Sequence, residues 1–419
     1  MGRWRSHSMH AKKTLWSLSV VLLMAARAFS LAGESGQRPP DLTELSLEEL
    51  MNIKVTSVSR KTERLSKAAG AIHVITQDDI RRSGATSIPE ALRLAPGIEV
   101  GRVDAHTWGI TSRGFNDVFA NKLLVMIDGR SIYTPLFSGV FWDMQDTLLE
   151  DLERIEIIRG PGAALWGANA VNGVINIITR RAKDTQGVLL AGGGGTEERG
   201  FGNVRYGGTL GGDAHFRVYA KYFNRDESVL PTGAEADDAW QVARSGFRID
   251  WDASERNALT LAGDLYTGTL AQSFLLPTLL PPFQQTAHDD LNIRGGNLLA
   301  RWSHSFSEVS DMRLQFYYDH TVRDTLIFKE DRDNYDVDFQ HRFPLGKRQD
   351  IIWGGGYRLT SDDVGNSFSV SLNPQSRTTR LLSAFAQDEI TLLVDQLRLT
   401  LGSKFEQNDF TGFEIQPRA

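Results

Sequence analysis

Residues 152–179 read LERIEIIRGPGAALWGANAVNGVINIIT, with an apolar run on either side of a glycine-rich loop. The first run predicts a strand over Ile155–Ile158 and the second a strand over Val174–Ile178, because β-branched residues dominate both. Between them a Gly-Pro-Gly turn leads into one apolar helical turn at Ala163–Trp166. Both strands are too apolar to lie in water, so the stretch predicts a small buried sheet.

A glycine-rich loop between a strand and a helix can also bind phosphate groups. Here Gly160, Gly162 and Gly167 fit neither the spacing of a dinucleotide fingerprint nor that of a P-loop. Beyond the second strand the chain turns basic at Arg180 and Arg181, where a dinucleotide site would need an acidic residue. The spacing therefore argues against nucleotide binding.

The run IIRGPGAALWG followed by NxxNGVINIIT resembles the end of the plug domain of TonB-dependent outer-membrane receptors. Two further plug motifs precede it in the expected order, TSRGF at Thr111–Phe115 and LLVMIDGR at Leu123–Arg130. The resemblance assigns the turns of the plug to Gly114, Asp128, Gly129, Gly160, Gly162, Gly167, Asn172 and Gly173.

Residues 70–186 as a whole predict a compact α+β unit, with a small mixed sheet and short helices. Ser87 and Glu90 have the spacing of a capping box that opens a helix, and this helix must stop at Pro96. The predicted strands upstream of the opening stretch are Ala71–Thr76, Ile98–Val103, Gly109–Arg113 and Leu123–Ile127.

From Gly187 onward, segments of about ten residues alternate apolar and polar side chains, as membrane β-strands do. In Phe216–Tyr222 the apolar set faces one way and Arg217, Tyr219 and Lys221 face the other. The connections also alternate, since short links take turns with longer ones. The longer ones are Asn224–Ala239, Gly268–Asp289 and Ser361–Ser376. The pattern predicts an antiparallel transmembrane β-barrel with short turns at one end and long loops at the other.

Residues 187–419 have room for about eleven or twelve strands at about twenty residues per strand and link. The family closes its barrel with about 22 strands around the plug. The last residues, Gln416–Ala419, also lack the terminal aromatic residue that the family's last strand carries. We therefore expect an incomplete barrel in a partial sequence.

Residues 1–32 have a basic start, an apolar core at Leu15–Ala26 and small residues near the end, so they predict a cleaved signal peptide rather than a membrane anchor. Residues 33–69 predict a periplasmic extension. The resemblance implies that a short extended segment there, the TonB box, pairs with the periplasmic protein TonB by strand addition. The position of the TonB box matches Ile53, Lys54, Val55, Thr56, Ser57 and Val58. The alternative is that these residues form an ordinary first plug strand or a linker.

Two plug loops are rich in aromatic residues where a loop in water would be polar, residues 115–122 and 131–143. They either pack against a surrounding wall or form apices that face a ligand. The candidate ligand-facing residues are Phe115, Asn116, Asp117, Phe119, Tyr133, Phe137, Phe141 and Trp142. The resemblance further implies that Arg113 and Arg159 hold the plug through ion pairs with glutamates of the barrel wall.

No motif indicates an enzyme. The chain has no cysteine, its nine histidines lack metal-ligand spacing, and no GxSxG or SxxK motif is present, so we expect no metal site and no cofactor. The acidic clusters Asp237–Asp238, Asp289–Asp290, Glu330–Asp338 and Asp362–Asp363 are interpreted as solvated loop faces rather than calcium loops. A net charge of -6 gives no basic surface for nucleic acid.

The resemblance implies a receptor in the Gram-negative outer membrane that takes up a scarce nutrient. A ferric siderophore is the first expectation, and cobalamin or another metal complex is the second. Its partners would be TonB with its inner-membrane energising complex, the outer-membrane lipid and the extracellular ligand. A passive porin or adhesin would not need residues 70–186, and a nonfunctional truncated fragment is the remaining alternative, because half a barrel has two open edges.

Overall fold

The structure is a computed structural model that describes residues 54–57, 60–61, 63–68, 70–160, 163–394 and 396–419. All of these belong to one unit, residues 45–419. The predicted signal peptide, two ends of the predicted TonB box (Ile53 and Val58) and the turn residue Gly162 lie outside the described residues.

A five-stranded mixed sheet forms the centre of the part predicted as α+β, called the plug unit (residues 70–186) below. Its strands, in the order 3-8-9-6-7, are β3 (Ala71–Thr76), β8 (Leu152–Arg159), β9 (Gly173–Thr179), β6 (Leu123–Ile127) and β7 (Arg130–Ser131). β9 pairs antiparallel with β8 and parallel with β6, so the sheet is mixed, as predicted. Ile155, Ile157, Ile175 and Ile177 are fully buried in its core.

Two short helices follow β3 along the chain. The helix α1 (Gln77–Ser83) follows β3 directly and was not predicted, although Thr76 and Asp79 form a complete capping box. The helix α2 (Ile88–Leu92) is capped by the Ser87 side chain, as predicted. It ends four residues before Pro96, because the backbone tightens into single turns at Leu94 and Ala95.

The remaining plug elements are small. The strands β4 (Ile98–Arg102) and β5 (Trp108–Ser112) form a separate two-stranded sheet rather than joining the mixed one. One helical turn, α3 (Ala163–Trp166), lies where the sequence predicts it. Near the chain start, β1 (Lys54–Val55) pairs with β2 (Glu63–Arg64). Short 3-10 turns lie at Leu65–Lys67, Trp142–Met144, Leu149–Asp151 and Ala182–Thr185.

Twelve antiparallel strands form a curved sheet, called the wall below, in which each strand pairs with the next along the chain. The strands are β10 (Gly187–Gly193), β11 (Glu198–Gly211), β12 (Ala214–Arg225), β13 (Trp240–Ser254), β14 (Asn257–Pro277), β15 (Gln284–Ser307), β16 (Ser310–Asp324), β17 (Lys329–Leu345), β18 (Gln349–Gly365), β19 (Ser376–Leu393), β20 (Leu397–Asn408) and β21 (Gly412–Arg418). In the described part β10 and β21 pair on one side only, so this is a partial barrel, as predicted.

The predicted alternation in the wall is confirmed, because Val218 and Tyr222 are exposed while Arg217, Tyr219 and Lys221 are buried against the plug unit. Several loop predictions are wrong. The acidic clusters Asp289–Asp290 and Asp362–Asp363 lie in β15 and β18 rather than in loops, and Asp238 is buried rather than solvated. Most of Gly268–Asp289 is strand, since β14 and β15 continue pairing up to Pro277 and Gln284.

The acidic run Glu330–Asp338 is also strand rather than a solvated loop, because it forms part of β17. Glu330 and Arg332 point inward and are buried as an ion pair of 2.8 Å. Alternate residues of a strand face opposite sides, so half of this charged run points toward the plug unit.

None of the helices in the described ranges combines the length and the apolar character that crossing a bilayer would require.

Candidate functional site

The plug unit is bound to the first wall strands by buried charges. Asp151 accepts a hydrogen bond from Arg205 and forms an ion pair of 3.1 Å with Arg217. Lys221 reaches Asp146 at 2.7 Å. Buried ion pairs of this kind are sensitive to the loss of one partner, because the other charge stays buried. The start of β8 is therefore fixed to strands β11 and β12.

The predicted turn residues Asp128 and Gly129 join β6 to β7 with left-handed backbone (φ 51° and 82°). The Asp128 carboxylate accepts hydrogen bonds from Thr179 Oγ1 at 2.7 Å and from its backbone N–H at 2.9 Å. Arg248 of β13 approaches the same carboxylate at 3.4 Å, and Arg301 of β15 donates to the Asp128 carbonyl. This turn therefore connects the central sheet to the wall.

The other predicted turn residues lie around α3. Gly114, Gly160 and Gly167 have left-handed backbone. Asn172 accepts a hydrogen bond from the Gly160 N–H at 2.9 Å and donates its side-chain amide to the Ser112 carbonyl at 3.0 Å. At Gly173 a Cβ atom would collide with the carbonyl of Ile158. These residues make close backbone approaches that a larger side chain would disturb.

The described residues 54–57, 60–61 and 63–64, together called the strap below, run between the plug unit and the wall. Val55 is fully buried and Ser57 is 1% exposed. The carboxylate of Glu156 on β8, itself 0% exposed, accepts hydrogen bonds from the backbone N–H groups of Thr56 (3.0 Å) and Ser57 (2.8 Å) and from Ser57 Oγ (2.5 Å). The described part of the predicted TonB box is therefore docked on the plug sheet.

The next part of the strap is bound to the wall. Arg60 forms an ion pair of 3.1 Å with Asp338 of β17, and its guanidinium lies 4.4 Å from the centroid of the Trp166 ring. Lys61 reaches Asp350 at 2.9 Å and Glu389 at 2.8 Å. Asp350 lies close to the short turn 346–348, so the strap lies at the end of the wall that carries the short turns.

At the opposite end, the loop 115–122 presents aromatic side chains openly. Phe115 is 98% exposed with a left-handed backbone (φ 57°), and Phe119 is 60% exposed. Asn116 and Asp117 are exposed as well. A strained backbone that carries an exposed aromatic ring is a recurrent feature of binding sites.

The loop 131–143 is instead packed largely against the wall. Trp142 is buried in the core, which agrees with the packing alternative for this residue. Arg323 of β16 lies 4.0 Å from the centroid of the Phe141 ring and pairs with Asp143 at 2.7 Å. Phe137 packs between Phe119 and Phe141, with ring centroids 5.2 and 4.9 Å apart, and Tyr133 is half-buried.

Arg113 and Arg159, the predicted latch residues, lie near the second sheet. Arg113 is exposed, and Arg159 donates to the Pro96 carbonyl at 3.3 Å. Within the described ranges the structure brings neither of them to a wall glutamate. A wall glutamate does contact the plug unit elsewhere, since Glu406 of β20 accepts a hydrogen bond from the Ala168 N–H at 2.9 Å.

Sequence reasoning missed several residues that position the site. Glu156 had a readable signal, because an acid between Ile155 and Ile157 in an apolar strand must find partners when buried. His106 had none, and Asp238 was interpreted only as part of a solvated acidic loop, whereas it is buried. Asp238 binds the Ala105 N–H at 2.7 Å and His106 binds the Ala271 carbonyl at 2.9 Å, and such long-range pairs cannot be read from local pattern.

One group in the described residues has the geometry of a metal site. His320 of β16 and Asp331 and Asp333 of β17 bring three potential ligand atoms within 4.8 Å of one another. All three are partly exposed, and His320 Nδ1 lies 3.0 Å from Asp333. Spacing along the chain could not indicate this group, because two strands supply it.

Comparison with known proteins gives a family match for the plug unit. Residues 64–174 match the family model described as TonB-dependent Receptor Plug Domain. The vitamin B12 transporter BtuB of Vibrio vulnificus is 31% identical over 145 residues, 34% of this chain and 23% of the relative. BtuB of Photobacterium profundum is 29% identical over 233 residues, 49% of this chain and 36% of the relative.

Solved structures agree on the fold. The FpvA receptor of Pseudomonas aeruginosa bound to a heterologous pyoverdine has a TM-score of 0.67 at 14% identity, covering 87% of this chain and 55% of that one. The ferric enterobactin receptor PfeA of Pseudomonas aeruginosa has a TM-score of 0.66 at 16% identity, covering 84% and 59%. The chain thus spans a little over half of these structures and about a quarter to a third of the curated relatives. Residues 64–174 therefore carry the plug domain of TonB-dependent receptors, and the plug unit lies against a partial antiparallel barrel, as in the fold of the two receptor structures above.

Proposed function

We propose that this chain is part of a receptor that actively takes up a scarce nutrient complex across the outer membrane, and that it carries out transport rather than catalysis. The observation that supports this best is that the two ends of the plug unit carry different features. Exposed aromatic side chains at Phe115 and Phe119 lie at one end, and the docked strap lies at the other. A passive porin or adhesin would need neither feature.

The proposed ligand is a ferric siderophore. The loop 115–122 offers aromatic rings and, at Asn116 and Asp117, polar groups, which suit a large ligand with both apolar and polar surface. The two solved structures described above are receptors for such iron complexes. Cobalamin is the second candidate, because the curated relatives are vitamin B12 transporters.

The central sheet provides a physical connection between the two ends. β9 pairs with β6, whose turn at Asp128 contacts the wall, and with β8, whose Glu156 holds the strap. A ligand that binds better to one arrangement of the plug unit shifts the population toward it. In this proposal ligand binding favours release of the strap, TonB adds to the freed residues 53–58 as a strand, and its pull displaces part of the plug unit.

Deleting residues 53–58 from the full-length receptor tests the TonB assignment. Uptake of an iron-55 siderophore or cobalt-57 cobalamin by intact cells should fall to the level of cells without the receptor, while ligand binding stays. A six-residue deletion at 34–39 is the matched control and should leave uptake unchanged. Undiminished uptake after deletion of 53–58 would contradict TonB dependence.

The ligand itself is tested by tryptophan quenching of the purified full-length receptor against a panel of ferric siderophores and corrinoids. We expect saturable quenching by an iron complex, and a reduced affinity in the variant Phe115→Ala. Saturation by a corrinoid alone would replace the siderophore with the second candidate.

A further inference from the structure

The strap is held on the plug unit by one buried carboxylate. Glu156 accepts hydrogen bonds from two successive backbone N–H groups and from the hydroxyl of Ser57, and it also receives Arg154 Nε at 2.7 Å. Hydrogen bonds to an ionised acceptor are the strong ones in proteins. No other carboxylate contacts Thr56 or Ser57 among the hydrogen bonds of the described ranges.

The surrounding contacts orient this carboxylate and the strap toward each other. Asn176 of the neighbouring strand β9 donates to Ser57 Oγ at 2.9 Å, and Trp166 Nε1 donates to the Ser57 carbonyl at 2.8 Å. Ser57 is therefore bonded through its N–H, its carbonyl and its hydroxyl. Without Glu156 the N–H groups of Thr56 and Ser57 would lose their acceptor in a buried place, which is costly.

We propose that Glu156 is the positioning residue that keeps the TonB-binding segment docked, so that the strap is released only when its bonds to this carboxylate break. The functional meaning rests on the proposed function above, in which residues 53–58 must leave the plug unit. Arg60 and Lys61 anchor the strap to the wall, but Glu156 acts on the very residues that a strand-adding partner must reach.

A cavity next to the strap allows Glu156 to keep hydrogen-bond partners after the strap is released. Thr56, Arg154 and Asn176 line a cavity of about 1750 Å³ between the plug unit and the wall. A polar cavity of this size holds water, which can replace the strap as the donor to Glu156. Arg154 remains as a charged partner. The carboxylate is thus not left unpaired in a dry site, and the strap can leave and return.

Cysteine labelling tests this directly, since the sequence contains no cysteine. Val55→Cys places a thiol at a fully buried strap position in the full-length receptor in outer-membrane vesicles. We expect slow reaction with a water-soluble maleimide. Adding Glu156→Gln should accelerate labelling about tenfold to hundredfold, the equivalent of one charge-assisted hydrogen bond. Adding Glu99→Gln, a change of an exposed plug glutamate, should leave the rate unchanged.

Two further variants separate release of the strap from unfolding. Ala91→Cys reports on the plug core, where the residue is fully buried, and should stay protected in the Glu156→Gln background. Equal acceleration at both cysteines, or no acceleration at position 55, would overturn the proposal. As a single change in the Val55→Cys background, Ser57→Ala should accelerate labelling. Combined with Glu156→Gln it should add little further acceleration, because the carboxylate that accepts the Ser57 hydrogen bonds is already altered.

These measurements need neither ligand nor TonB. If labelling responds as expected while uptake survives the deletion of 53–58, the TonB assignment fails and the role of Glu156 in docking the strap stands. If uptake requires residues 53–58 but Glu156→Gln leaves the labelling rate unchanged, the inference about Glu156 fails while the TonB assignment stands.

Discussion

Gly173 is constrained by its neighbours rather than by its own backbone. A Cβ atom there would collide with the Ile158 carbonyl of the adjacent strand, which cannot move without breaking the ladder between β8 and β9. Gly114 is the opposite case, since its backbone is left-handed (φ 85°) but open space surrounds it.

We therefore expect Gly173→Ala to destabilise the plug unit by about 3 kcal/mol, from overpacking and lost strand pairing. Gly114→Ala is the matched control and should cost only about 1 kcal/mol, through backbone strain. Thermal unfolding of both purified variants in detergent measures the difference. Equal shifts in Tm would show that the close approach at Gly173 relaxes at no cost.

Single residues also show how much of the site the local sequence can predict. The acid inside IEI at Glu156 and the glycines of the opening stretch could be noticed from the sequence, because each breaks a local rule. Glu156 is bonded to Thr56 and Ser57, which lie about a hundred positions away along the chain. The local sequence could therefore not indicate these partners. The prediction that residues 53–58 bind TonB carried no sign that Thr56 and Ser57 are docked on the plug sheet.

At the scale of elements, strands rich in β-branched residues were predicted within one or two residues, as at β6 and β9. The helix α1 was missed because QDDIRRS is polar and shows no periodic apolar face; only Ile80 is buried. The ribbon formed by β14 and β15 was missed because prolines and leucines near its tip resemble a loop, whereas strand pairing continues through them.

The helix α2 supports a pH prediction. Burial raises the pKa of Glu90, but hydrogen bonds from Arg93 and Trp108 outweigh it and hold the pKa below its ordinary value. A carboxylate with a lowered folded pKa contributes stability that is present above its unfolded pKa and is lost as the pH falls through the folded value.

We therefore expect the Tm of the receptor to fall as the pH drops from about 6 to below about 4. Glu90→Gln should reduce this fall, because the group no longer titrates, and Glu99→Gln, an exposed glutamate on β4, should leave it intact. An identical pH profile for Glu90→Gln and the unmodified receptor would contradict the assignment.

The whole molecule is asymmetric in how firmly its parts are held. The start of β8 is bound to the wall by Asp151, which is 1% exposed and pairs with both Arg205 and Arg217. Thr56 and Ser57 of the strap are instead bound to Glu156 through donors that water can replace, next to a cavity, whereas Arg60 and Lys61 hold the rest of the strap to the wall by ion pairs. A pull on the chain start should therefore remove Thr56 and Ser57 from Glu156 first and leave the start of β8 in place.

Asp151→Asn tests how firmly the start of β8 is bound to the wall. Two buried guanidinium groups would lose their carboxylate, so the contact between plug unit and wall should weaken by about 3–5 kcal/mol. Asp226→Asn removes the partner of Arg199 from an exposed pair of 2.6 Å and is the matched control, for which we expect no measurable change. The measurement is the urea concentration at which trypsin cleaves the plug unit of the purified full-length receptor. If Asp151→Asn leaves that concentration unchanged, the buried pairs do not hold the plug unit, and the order of displacement under a pull must be set by the central sheet instead.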